Sequence, residues 1–166
     1  GTTQYSISNQ RILYAEKRQD KTTVKCFDLD QKTTTLAAYD TESVWLVGAY
    51  EDYLFYTVKE DGKKKLCIYE LNSGTAYTLE NGKTEAAVWN DQIFVCDENG
   101  NAELRSLNDP LIVTKEFKLP YTLRSTSAYS PRVIPVGKNL AFVTSEKTVV
   151  LIDKELKEVA SFSTEA

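Results

Sequence analysis

A polar turn, a short apolar run, a hairpin and a second strand ending in a polar corner recur four times in this chain, and that recurrence constrains the fold more than any single residue. The apolar runs are Ile12-Leu13-Tyr14-Ala15, Leu54-Phe55-Tyr56-Thr57, Ile93-Phe94-Val95-Cys96 and Leu140-Ala141-Phe142-Val143, so successive starts lie 42, 39 and 47 residues apart. A period in this range marks a propeller or a solenoid, in which each unit can bury its apolar faces only against its neighbours. Short apolar runs bounded by Gly, Asn and Asp read as strands, so each unit is a small antiparallel sheet.

Composition supports this reading. Forty-two per cent of the 166 residues are hydrophobic, with ten Tyr, six Phe and two Trp, side chains that suit half-buried strands. Twenty basic against twenty-four acidic residues leave a net charge of −4, which gives no general attraction to nucleic acid or to anionic lipid. Neither is an expected partner. No run of eighteen apolar residues is present, so no membrane insertion is expected of this segment. A chain that opens on Gly and holds no Met is expected to be a domain of a longer precursor.

Each repeat divides into four strands. In the first they fall over 11–16, 23–29, 33–39 and 43–49, and in the second over 53–58, 65–71, 75–79 and 85–89. Asp61-Gly62 and Asn99-Gly100 are hairpin signals, because Gly tolerates the positive φ of a tight turn. The polar corners Asp28-Leu29-Asp30, Glu70-Leu71-Asn72 and Ser106-Leu107-Asn108 recur in register, with Asp and Asn placed to bond their own backbone. The N-terminal segment 4–12 aligns with 86–93, so the chain opens on the last strand of a repeat, while strands over 140–144, 148–153 and 158–162 lack a fourth. The sequence therefore predicts an all-β, four-bladed β-propeller with four antiparallel strands per blade, whose N-terminal strand completes the last blade. The predicted blades are 11–49, 53–89, 92–136 and 139–162 closed by 4–8, in one domain over 1–166, expected to be a monomer. The alternative is half of a larger propeller; such a fragment would expose apolar faces and should pair or aggregate.

The repeats resemble those of bacterial extracytoplasmic propellers, similar to TolB-like and quinoprotein-like repeats. The resemblance is carried by Glu51-Asp52 and Asn90-Asp91 before the apolar runs, and by corners such as Cys67-Ile68-Tyr69-Glu70-Leu71-Asn72-Ser73-Gly74. It implies architecture and an extracytoplasmic setting (secreted, periplasmic or cell-surface), and it carries no active site. The Trp-Asp and Gly-His signature of WD repeats is missing.

Histidine is absent, which removes Ser-His-Asp and Cys-His catalysis and His-ligated metals. The three cysteines, Cys26, Cys67 and Cys96, sit inside strand patterns and are expected as buried free thiols, with a Cys26 to Cys67 bridge the alternative. Asp52 and Asp91 occupy equivalent turns, with Gln10 and Lys138 at the other two. A carbohydrate-active enzyme or ligand-binding propeller would need such rim carboxylates, whereas turn chemistry explains them without a ligand. Asp97-Glu98-Asn99-Gly100-Asn101 has alternating oxygens like a calcium loop but lacks its distal Glu. No cofactor is expected, and no enzyme.

The features that point to a partner are two basic hairpins and one insertion. The hairpins are Lys17-Arg18-Gln19-Asp20-Lys21 and Lys63-Lys64-Lys65, expected to be long; the insertion over 120–131 stretches the third period. Repeat insertions often mark a binding face, and Tyr and Arg are enriched at interface hot spots. Tyr121, Arg124, Tyr129, Lys17, Arg18, Lys63 and Lys64 are thus the candidate binding residues. The expected function is a non-catalytic binding or scaffolding module of a larger secreted or surface-anchored bacterial protein, with a protein or glycan partner.

Overall fold

The computed structural model describes residues 2–8, 10–30, 32–41, 43–125 and 132–164. Sixteen strands lie among them, in four sheets. The first holds β1 (Thr2–Ser8), β2 (Arg11–Arg18), β3 (Lys21–Asp28) and β4 (Thr33–Tyr39). The second holds β5 (Val44–Tyr50), β6 (Tyr53–Glu60), β7 (Lys63–Glu70) and β8 (Thr75–Leu79). The third holds β9 (Glu85–Trp89), β10 (Gln92–Cys96), β11 (Asn101–Ser106) and β12 (Val113–Lys118). The fourth holds β13 (Val133–Val136), β14 (Asn139–Val143), β15 (Thr148–Ile152) and β16 (Glu158–Ser163). Among the described residues no helix is long and apolar enough to cross a membrane.

Within every sheet the strands lie in chain order, and all neighbours are antiparallel. This corrects the expected closure. β1 does not complete the last sheet; it pairs with β2, Tyr5 opposite Tyr14 and Ile7 opposite Ile12. The strand assigned to the end of each repeat opens the next sheet, so the sheets span 2–39, 44–79, 85–118 and 133–163 rather than the expected blades. The cause is the connection. Two residues separate β5 from β6, β9 from β10 and β13 from β14, and so short a link leaves only an antiparallel neighbour within reach. Asn90 and Asp91 take φ of 51° and 57°, the paired left-handed geometry of a hairpin turn.

The chain divides into two compact units, Gly1–Gly82 and Lys83–Ala166. In the first, one face of the first sheet meets the second sheet around Leu13, Val24, Cys26, Leu54, Tyr56 and Val58, all buried. Tyr39 and Tyr56 put a polar bond into this core: their hydroxyls lie 2.8 Å apart and their rings meet edge to face at 6.0 Å. A buried hydroxyl without a partner would cost about 1–3 kcal/mol, so each phenol makes the other tolerable. In the second unit Phe94 of β10 is the hub, with centroids 5.6 Å from Phe142, 6.1 Å from Phe117 and 6.4 Å from Trp89. The Trp89 indole N–H donates to the Lys138 carbonyl at 3.0 Å, tying the third sheet to the β13–β14 turn.

Register shifts interrupt the pairing of the third and fourth strands in three sheets, at Val24/Lys25, Leu104/Arg105 and Leu151/Ile152. Such bulges increase local twist, which suits a strongly twisted blade. All three thiols are free and buried. Cys26 and Cys67 share the core of the first unit without a bridge.

Candidate functional site

The described part of the insertion between β12 and β13, residues 119–125, is tied down on both sides by backbone hydrogen bonds. Leu119 N donates to Gly100 O at 2.8 Å, and Leu123 N donates to Glu98 O at 2.8 Å. On the other side Ser145 N donates to Thr122 O at 2.8 Å, Arg124 N donates to Val143 O at 2.9 Å, and Leu123 forms a single bridge with Thr144. Residues 119–125 are thereby sewn between the β10–β11 turn and the β14–β15 hairpin, with Leu119 and Leu123 buried beneath them. Gly100 makes the approach possible. Its φ is +86°, and a Cβ there would lie 2.5 Å from Tyr121 O and 3.0 Å from Leu119 O.

Arg132 closes the base of the insertion. Its guanidinium donates to Glu98 Oε1 at 2.8 Å, to Arg124 O at 2.9 Å and to Glu85 Oε1, while its own carbonyl accepts from Val143 N at 2.9 Å. One buried cation thus binds the carboxylates of Glu85 in β9 and Glu98 in the β10–β11 turn together with the carbonyl of Arg124 in the held segment. The planar fork of donors is what allows this, since Lys offers only a point charge.

Beside the segment lies a polar cavity of about 260 Å³, lined by Tyr121, Thr144, Glu146, Thr148, Glu158 and Ser161 among others. Tyr121 forms its wall. The ring stacks on Phe142 with centroids 6.4 Å apart and planes 28° apart, and the hydroxyl donates to Glu158 Oε2 at 2.8 Å. Desolvation first, then the adjoining Glu158 carboxylate, pushes the phenol up to about 12. Thr144 and Thr148 hydroxyls meet at 2.6 Å across the hairpin mouth. These groups can hold a small polar ligand or the polar side chains of a partner.

The sequence-derived site residues separate. Tyr121 and Arg124 belong to the held segment of the second unit, and Tyr129 lies outside the described residues. Lys17 and Arg18 end β2, and Lys63 and Lys64 begin β7, in the first unit. Their hairpins, expected to be long, are tight: only Gln19-Asp20 and Asp61-Gly62 intervene, because the strands run two residues further than the apolar pattern. Lys64 Nζ sits 5.0 Å from the centroid of the Trp45 ring, so this cation is partly satisfied by an aromatic face.

The turn acids are bound into the scaffold. Asp52 accepts from Asn72 Nδ2 at 2.8 Å and lies 3.4 Å from Arg11 Nη1. Asp97 accepts from the backbone of Asn99 and Asn101 and from the Asn101 amide at 2.8–3.0 Å. Burial raises the Asp97 carboxyl, but those donors lower it further, so it stays below its ordinary value. The calcium-like spacing there serves a turn. Apart from Tyr121, the strongly shifted groups Tyr39, Tyr56 and Cys96 sit in cores, where burial raises them, and burial raises Cys26 and Cys67 as well. Such groups are poor nucleophiles. Sequence reasoning missed Arg132 and its carboxylates, and also Glu103, which accepts from Arg105 Nε at 2.8 Å on a buried face of β11.

No family model matches the chain, and no curated protein sequence matches it. Solved structures do. BamB from Moraxella catarrhalis superposes with a TM-score of 0.58 at 10% identity, over 96% of this chain and 48% of that one. A chain of a mitotic checkpoint complex gives 0.61 at 15% identity, over 96% of this chain and 49% of its own. The computationally designed Ika8 protein gives 0.53 at 6% identity, over 97% and 61%. The class defined by the sheets and these likenesses is the β-propeller, with four blades in this chain. The chain spans about half the length of the first and second of these solved chains and about three-fifths of the third.

Proposed function

We propose that this chain is a non-catalytic propeller module that binds a protein partner through the surface formed by residues 119–125 and the adjoining cavity. The observation that carries the proposal is the hold on the insertion: backbone bonds on both sides and a buried Arg132 at its base fix Tyr121 and Arg124 in place. A pre-ordered segment loses little entropy on binding, the condition under which a short loop can act as an anchor. The engagement of Asp52 by Arg11 and Asn72 also favours binding over catalysis, because that turn acid is already bound into the scaffold. The partner-bearing protein is taken to be a larger extracytoplasmic bacterial one, on the resemblance of its repeats. Buried thiols are compatible with an oxidising compartment, because they are shielded from exchange.

The test is affinity capture with the wild-type chain beside Arg124→Glu and Asp91→Asn variants. A protein retained by wild type and Asp91→Asn but lost by Arg124→Glu supports the proposal; one lost only by Asp91→Asn refutes it. A second reading, a glycan or other small polar ligand, is favoured by the polar cavity and its two glutamates, Glu146 and Glu158. A rise in melting temperature with a sugar library, abolished by Glu146→Gln, would select that reading, since a ligand stabilises only the state that binds it.

A further inference from the structure

Within the second unit, β16 forms an edge of its sheet. It takes the place that β4, β8 and β12 hold in theirs, an outer strand with one paired neighbour among the described residues. All six of its residues are exposed. The phase of its pairing follows from hydrogen bonds on either side. Thr144 N donates to Thr148 O, and bonded and non-bonded pairs alternate along an antiparallel ladder, so Phe142 and Val150 are a bonded pair. Val150 thus spends its N–H and C=O on β14, and Ser161 opposite it turns its own N–H and C=O to the open edge. The bond from Thr164 N to Lys147 O fixes the same phase from the other end. From Ala160 to Ser163 the strand carries neither charge nor proline, the residues that commonly blunt an edge against a further strand.

The polar cavity opens on the same side of the sheet as the Ser161 side chain. Val150, Glu158 and Ser161 line it together with Glu146 and Tyr121. Its two charged lining residues are both glutamates, and no cation lines it. Tyr121 holds one of them in place by donating to Glu158 Oε2 at 2.8 Å. On an added strand, the residue opposite Ser161 would turn its side chain to this acidic side. Its two neighbours would turn to the other side, where Ala160 and Phe162 lie, Phe162 being 55% exposed.

We propose, resting on the reading of a protein partner, that the partner adds an extended segment to β16 as a fifth strand and places a Lys or Arg, flanked by apolar residues, in the cavity. Main-chain bonds at Ser161 supply the hold. The alternating side chains supply selectivity, basic toward Glu146 and Glu158 and apolar toward Phe162.

The experiment is an amide-detected NMR titration of the 166-residue chain with the acetylated, amidated peptide Thr-Thr-Val-Lys-Val-Thr-Thr, beside the same peptide with Glu for Lys. The Lys peptide should slow solvent exchange of the Ser161 amide at least about tenfold, as a newly bonded donor requires. The Glu peptide should bind at least about fivefold more weakly, and Glu146→Gln should narrow that difference. Ser161→Pro should abolish binding with native circular dichroism, because an edge position whose N–H faces solvent tolerates proline. An unchanged Ser161 exchange rate at millimolar peptide, equal affinity of the wild type for the two peptides, or binding retained by folded Ser161→Pro overturns the proposal. Affinity capture separates it from the reading beneath it. A protein retained by Ser161→Pro but lost by Arg124→Glu keeps the protein partner and overturns strand addition; if no protein is captured, the partner reading falls and the titration still decides the edge.

Discussion

Replacing Gly100 by Ala tests whether the insertion is docked on the β10–β11 turn. Two costs are expected. The φ of +86° is unfavourable for an L side chain, about 1–2 kcal/mol. The new Cβ would also lie 2.5 Å from Tyr121 O and 3.0 Å from Leu119 O, backbone atoms that cannot swing aside as a side-chain end can. The segment must lift, and the bond from Leu119 N to Gly100 O is lost, about 0.5–1.5 kcal/mol net before any loosening of Leu119. Gly62 is the control: its φ is +76°, yet nothing lies within 4 Å of its Cβ position. Gly62→Ala should cost about 1 kcal/mol and Gly100→Ala about 2–4 kcal/mol in urea denaturation followed by circular dichroism. Equal costs within about 0.5 kcal/mol would refute the docking.

Arg132→Met should cost about 2–4 kcal/mol by removing the buried guanidinium that binds the mostly buried Glu85 carboxylate, measurable by the same denaturation, whereas Lys64→Met should change stability by less than about 1 kcal/mol. For Tyr121 the folded phenol titrates near 12 and the unfolded one near about 10. Its contribution is therefore complete below pH 10 and is lost as pH rises through about 12, so the stability difference between wild type and Tyr121→Phe should fall across that interval. A thiol reagent should label none of the three cysteines in the native chain and all three in denaturant, and a reductant should leave the melting temperature unchanged.

The strands were legible because apolar alternation and turn residues are local. The reading places 33–39, 75–79 and 85–89 where β4, β8 and β9 lie; it stops short where polar residues such as Lys17 and Lys63 extend the ladder and runs one residue too far at the corners, at Leu29, Leu71, Thr144 and Asp153. Sheet membership was less legible: the alignment of 4–12 with 86–93 says that β1 and β9 are equivalent, and only the two-residue links say which sheet each joins. Arg132 was invisible, because its partners Glu85 and Glu98 lie 47 and 34 residues away at no repeating interval. Glu103 and Arg105 alternate as solvated residues would, yet they neutralise each other on a buried face. Tyr121 was found by composition, as an aromatic in an insertion, but its stacking on Phe142 depends on the hairpin geometry of another sheet.

The central claim is that the described residues form four four-stranded sheets, each with its strands in chain order. Backbone nuclear Overhauser contacts test it most directly, because paired strands bring α-protons within reach of each other while stacked sheets about 10 Å apart do not. The account predicts such contacts between β1 and β2 along the pairs from Gln4 with Ala15 to Ser8 with Arg11. The same class of contact between β1 and β16, with none to β2, would contradict it.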